Sequence, residues 1–162
     1  MSSTAMPLGR MLAIFLGILV AANVALGAIG TYFPDLPIPS AMGIILAMVA
    51  AMSAGQSGTK AVNRRLSFNE KATFAVLATV LSGVLGIGIF WAMFAYLGIP
   101  FTLENVVLAT TGDTVPAAEI RGMLIIIVPI IFVLYVLITY FGAAMGSRNE
   151  IKLQEKLAAK GK

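Results

Sequence analysis

Four long apolar blocks limit what this sequence can fold into. They cover approximately residues 11–33, 38–56, 73–97 and 122–145, the last within a predicted span of about 116–145. Each block is close to the ~20 residues that a helix needs to cross ~30 Å of hydrocarbon. Only 11% of the residues are charged, against roughly a quarter in a soluble domain. An open sheet would leave unpaired edges in lipid, and barrel strands would alternate in polarity over short segments. The sequence therefore predicts an all-α integral membrane protein, a single membrane domain with four transmembrane helices.

The basic residues predict the orientation of these helices. One precedes the first block, four lie between the second and third, and five lie in the tail at 147–162, which leaves Arg121 as the exception among eleven. Since lysine and arginine collect on the cytoplasmic side, we expect both termini to be cytoplasmic.

The first block also resembles a signal peptide, because a basic residue precedes it and small residues such as Ala25 and Gly27 lie near its end. Its 23 residues exceed the 7–15 of a usual signal-peptide core. We therefore expect it to be retained as a transmembrane helix.

Local motifs predict where several helices begin and end. Ser67 and Glu70 have the spacing of a capping box at the start of the third helix. Gly146 followed by Ser147 predicts that the fourth helix ends there and that a separate basic helix, approximately 148–159, follows. In the third loop, a short interfacial helix is expected over about 101–108, begun by Thr102.

The start of the fourth helix has its own signal. Pro116 suits the first turn of a helix, and Asp113 or Thr114 would cap it. The helix is therefore expected to begin before the hydrocarbon.

The polar residues inside the blocks are few, and none in the middle of a block is ionisable. Coupled transporters and pumps usually retain a buried ionisable group, so the sequence argues against that class. Asn23, Ser53 and Gln56 are the candidates for lining a polar path, and Asn23 can instead form an interhelical hydrogen bond that fixes packing.

Small residues at four-residue spacing form a second set of candidates, because they let membrane helices approach closely. They occur in three blocks: Ala47, Ala51 and Gly55; Ser82 and Gly86; Gly142 and Gly146. The spacing does not distinguish packing within the chain from assembly with another chain.

The cytoplasmic basic patch is the third candidate. Its residues are Lys60, Arg64, Arg65, Lys152, Lys156 and Lys160. These side chains suit acidic lipid headgroups or a docked partner, although they also suffice simply to set the topology. No motif or interleaved aromatic residue accompanies them, so nucleic-acid binding is not expected.

Catalysis is not expected. The chain has no cysteine and no histidine, which excludes thiol chemistry and histidine-ligated metal or haem sites. Glu104, Asp113 and Glu119 match no pattern for acid–base chemistry, and no activated nucleophile accompanies them. The sequence predicts no cofactor, no metal site and no enzymatic activity.

The segment from Lys60 through Arg64 and Arg65 to the capping box at Ser67 and Glu70 lies between the second and third spans. In this it resembles a family of small four-span bacterial inner-membrane proteins of unassigned function. That resemblance implies the four-span topology and a multi-pass location in the bacterial inner (cytoplasmic) membrane, but no catalytic or binding residue. Small multidrug transporters differ, because they carry a glutamate in the first span where this chain has Asn23.

Two functions follow as hypotheses. The first is a non-catalytic accessory or structural membrane protein, acting through helix–helix contacts in a homo-oligomer or a larger membrane complex. The alternative is an oligomeric channel or facilitator for a small neutral or anionic solute. Four helices are barely enough to enclose a pore, so the alternative requires several copies.

Overall fold

The computed structural model describes residues 6–33, 35, 41–112 and 116–160. Five helices account for most of them: α1 (Leu8–Tyr32), α2 (Met42–Val62), α3 (Phe68–Leu97), α4 (Leu103–Thr111) and α5 (Ala117–Lys160). In the described residues, α1, α2, α3 and α5 are long and apolar enough to span a membrane. For the described residues, the expectation of an all-α protein is confirmed, with four helices that are candidates to span a membrane.

The helices extend beyond the apolar blocks that predicted them. The second helix continues to Val62 rather than ending near residue 56. The third begins at Phe68, where the capping box predicts it, although its apolar block starts only near residue 73. The expected cap at Asp113 or Thr114 lies outside the described residues.

The helices fall into two compact units. The first unit comprises Met1–Thr79 and Tyr135–Lys162, and the second comprises Val80–Leu134. The second unit thus contains the end of α3, all of α4 and the start of α5. Thr102 caps α4 by accepting a hydrogen bond from the Asn105 amide, as expected, and Gly112 ends it in a left-handed conformation with φ of 78°.

The first unit is built around α2, whose small residues allow close packing. Its buried side chains include Ala47, Ala50, Ala51 and Ala54. The N-terminal part of α1 packs beside the C-terminal part of α2, where the Met11 side chain fills the space next to Gly58. These two helices are therefore antiparallel neighbours, with Phe15 of α1 stacked edge to face on Phe74 of α3 at 5.7 Å.

Helix α5 differs from the expectation at its C-terminal end. It continues without a break to Lys160, so no separate basic helix begins after Gly146. Gly146 is helical rather than left-handed, because it is packed against the backbone of Met52. The Ser147 hydroxyl is already engaged by two donors from other segments and does not open a new helix.

Candidate functional site

A close-packed seam joins α2 and α5 in the first unit. A side chain at Gly55 would collide with the backbone of Ala143, and one at Gly146 with the backbone of Met52. A Cβ at Gly142 would lie 2.8 Å from the Ala51 Cβ. Glycine is required at these positions because backbone, which cannot rotate away, faces each of them. Two of the three small-residue sets thus pack within the chain.

The third set behaves differently. A Cβ at Gly86 would meet no atom within 4 Å, and the same is true at Gly83, so these glycines of α3 form no close approach within the described structure. The four-residue spacing alone did not separate this set from the two that pack.

Ser147 joins three segments at one end of the seam. Its Oγ accepts a hydrogen bond from the Thr59 hydroxyl at 2.7 Å and another from the Leu66 amide at 3.2 Å. Thr59 and Ser147 are both buried, so these bonds satisfy groups that water does not reach. The serine therefore holds the α2–α3 loop against α5.

The start of α3 is a capping box, as its sequence predicts. The Glu70 carboxylate accepts a hydrogen bond from the Ser67 amide at 2.7 Å, and the Ser67 hydroxyl accepts one from the Glu70 amide at 3.3 Å. Arg64 also reaches Glu70 through two hydrogen bonds, at 2.7 and 2.9 Å. The carboxylate raises the pKa of the Arg64 guanidinium above its usual value.

The candidate polar residues are not brought together. Helices α1 and α2 are antiparallel, and Met11 lies beside Gly58. Asn23 is therefore level with about residue 46 of α2, roughly 10 Å or more along the helix axis from Ser53 and Gln56. The Asn23 amide donates to the Leu19 carbonyl at 2.8 Å, and Ser53 donates to the Val49 carbonyl at 3.1 Å. Among the described residues, Asn23 forms no hydrogen bond to another helix of this chain. Each of these two groups bonds within its own helix.

The six residues of the basic patch are all exposed but differ in their surroundings, because one of them is ion-paired. Arg64 is committed to Glu70, which makes it part of the α3 cap rather than a free cation. Lys60 and Arg65 are exposed at the end of α2 and in the loop. Lys152, Lys156 and Lys160 lie exposed along the C-terminal part of α5, and no ion pair to any of these five cations occurs in the part of the chain that the structure describes.

Helix α1 exposes its small side chains and covers most of its large ones, a division that was not predicted from the sequence. Ten of its positions between Met11 and Gly30 are exposed, and all carry alanine, glycine, valine or asparagine: Ala13, Gly17, Val20, Ala21, Asn23, Val24, Ala25, Gly27, Ala28 and Gly30. The other ten positions carry leucine, isoleucine, methionine or phenylalanine, with Ala22 as the exception. We call the exposed set the small face of α1.

The other helices of the first unit expose large side chains. Helix α2 presents Ile44 and Ile45, and α5 presents Leu137, Phe141 and Met145, each more than 40% exposed. Bulky aliphatic side chains are well suited to lipid, whereas small ones favour close helix packing. The signal in the sequence was Ala13, Gly17, Ala21 and Ala25 at four-residue spacing, but only the structure shows that this face is uncovered.

The long apolar helices are the architecture of a multi-pass, all-α membrane protein. Comparison with protein-family models, with curated proteins and with solved structures finds no match. The resemblance to small four-span inner-membrane proteins stays a prediction.

Proposed function

We propose that the protein is a non-catalytic accessory or structural component of a membrane complex, and that it acts by packing the small face of α1 against a transmembrane helix of another chain. The observation that carries this proposal is that the side chains exposed on α1 between Met11 and Gly30 are no larger than valine, whereas α2 also exposes isoleucine and α5 exposes leucine, phenylalanine and methionine. Small residues let two backbones approach closely, and the resulting van der Waals contacts are one of the forces that associate helices in lipid.

Asn23 supports the same proposal. It is exposed at the edge of the small face, and its Nδ2 donates to Leu19, while its side-chain carbonyl oxygen accepts no hydrogen bond from the described residues. A polar acceptor facing hydrocarbon is unfavourable, and a donor from a neighbouring helix would satisfy it.

The proposal includes the location of the protein. Ten of eleven basic residues lie at the start of α1, in or near the α2–α3 loop and near the C-terminus, which favours an orientation with both termini in the cytoplasm. Together with the resemblance to small four-span proteins, this leads us to place the protein in a bacterial inner membrane. In this orientation Lys60 and Arg65 would lie near acidic lipid headgroups, each contributing ~1 kcal/mol to the interaction.

Site-specific photocrosslinking in native membranes tests this function. A photoreactive residue at Ala21, on the small face, should give a discrete adduct with one protein, either a second copy or a different membrane subunit. The matched control is the same residue at Phe141, which is also exposed but on a face of large side chains, and it should crosslink mainly to lipid. Gly17→Leu should weaken the Ala21 adduct, because the larger side chain holds the helices apart. Crosslinking to lipid alone from both positions would refute the proposed interface.

A further inference from the structure

The C-terminal part of α5, residues 147–160, continues past the ends of the other helices of the first unit. Ser147 is bonded to Thr59 in the last turn of α2 and to Leu66 in the α2–α3 loop, which places it about one turn before the end of α2. Thirteen further helical residues follow, a length of ~20 Å at 1.5 Å per residue. We call this part of α5 the C-terminal extension.

Four cations lie along one side of the C-terminal extension. Arg148, Lys152, Lys156 and Lys160 are spaced by four residues, so successive side chains lie ~6 Å apart along the axis and turn by only ~40°. All four are exposed, whereas Ser147 and Gln154 occupy the less exposed opposite side. Leu153 and Leu157 flank the cations and are 51% and 61% exposed. The extension therefore presents a row of positive charge beside an uncovered apolar edge.

Lipid headgroups account for only part of this row. Taking the end of α2 as the end of the span, Lys156 and Lys160 lie ~9 and ~15 Å beyond it along the helix. The potential of an anionic membrane surface falls off within ~8–10 Å at physiological salt, and a usual helix tilt of ~20° shortens these distances little. A continuous helix also cannot turn aside at Gly146 to lie on the membrane.

A second copy of this chain does not supply the complementary charge. Glu70 is bound by Arg64, and Glu150 accepts a hydrogen bond from Gln154 at 3.0 Å. Glu155 is the remaining acidic residue of the extension, against four cations. Two extensions side by side would bring mainly like charges together.

We propose that the C-terminal extension is a docking helix for an acidic protein partner, whose own helix presents carboxylates at four-residue spacing and an apolar edge that covers Leu153 and Leu157. This inference does not depend on the small face of α1. Failure of one therefore leaves the other intact.

The test uses the full chain in nanodiscs of neutral phosphatidylcholine. The probe is a fluorescein-labelled helical peptide with glutamate at every fourth position, and binding is followed by fluorescence anisotropy. We expect saturable binding that weakens with salt, and an approximately tenfold loss of affinity in the double variant Lys156→Gln, Lys160→Gln. The matched control, Lys60→Gln with Arg65→Gln, also removes two exposed cations but should change affinity less than about twofold.

A charge-reversal variant distinguishes a lost electrostatic contact from a damaged structure. Lys156→Glu with Lys160→Glu should abolish binding of the glutamate peptide and create binding of the corresponding lysine peptide. Absence of peptide binding, or equal losses in the two double glutamine variants, would overturn the proposal.

A second measurement addresses the lipid alternative. The chain contains no cysteine, so Leu157→Cys can carry a single polarity-sensitive fluorophore. Its emission should be the same in neutral nanodiscs and in nanodiscs containing phosphatidylserine. A blue shift with phosphatidylserine would assign the extension to the membrane surface and overturn the proposal.

Discussion

Replacing Gly146 with alanine tests the close approach of α2 and α5 directly. The added Cβ would lie 2.8 Å from the Met52 carbonyl carbon and 3.0 Å from its Cα, and closer still to its carbonyl oxygen. These are backbone atoms, so relief requires the two helices to separate. Overpacking of a well-filled core costs ~1–3 kcal/mol, and this site belongs in the upper part of that range because no side chain can yield.

Part of that cost is offset within the helix. Alanine is favoured over glycine in a helix interior by ~1 kcal/mol, so the net destabilisation should be ~1–2 kcal/mol, a five- to thirtyfold shift in the unfolding equilibrium. Gly83→Ala is the matched control. It lies mid-helix with no atom within 4 Å of the new Cβ, so it should be neutral or stabilising by up to ~1 kcal/mol.

Energy transfer between two fluorophores provides the assay. Cysteines introduced at Ala61 and Asn149 are the chain's only thiols, and both positions are exposed in the first unit, on α2 and α5. Titration with sodium dodecyl sulfate in mixed micelles then follows separation of these helices. If Gly146→Ala proves as stable as the unmodified protein while Gly83→Ala behaves as expected, the backbones of α2 and α5 do not approach as closely as described.

Two further predictions concern hydrogen bonds at the same end of the unit. Ser147→Ala should destabilise the protein by ~1–3 kcal/mol in the same titration, because the Leu66 amide and the Thr59 hydroxyl lose their buried acceptor, whereas Ser53→Ala should change stability by less than ~0.5 kcal/mol. Glu70→Ala should speed amide hydrogen exchange at Ser67 and cost ~1 kcal/mol, while Glu70→Gln should keep the protection since glutamine can also close a capping box. Equal exchange in the two Glu70 variants would contradict the cap.

Several features followed from short-range chemistry and were predictable. The capping box at Ser67 and the cap of α4 at Thr102 depend on residues three positions apart. Both hydrogen-bonding partners therefore lie within one short stretch of sequence. The membrane-spanning helices follow from apolar length alone.

Other features needed partners that are distant in the chain. Gly146 and Ser147 look like a helix end in isolation, yet Met52 packs against the glycine, and Thr59 with Leu66 occupies the serine hydroxyl. The continuous α5, and with it the C-terminal extension, is the result.

The sequence by itself determined that the long helices belong in lipid rather than in water. Long uncharged stretches cannot remain in water, and a backbone in lipid must satisfy its hydrogen bonds within helices, so the number of spans required no tertiary information. The tertiary structure decided which face of each helix is covered. Small residues recur on α1, α2, α3 and α5, and their spacing is alike, but α5 covers those of α2 while those of α1 face outward. Burial depends on which helix lies opposite, and the order of residues along one helix does not specify its neighbour.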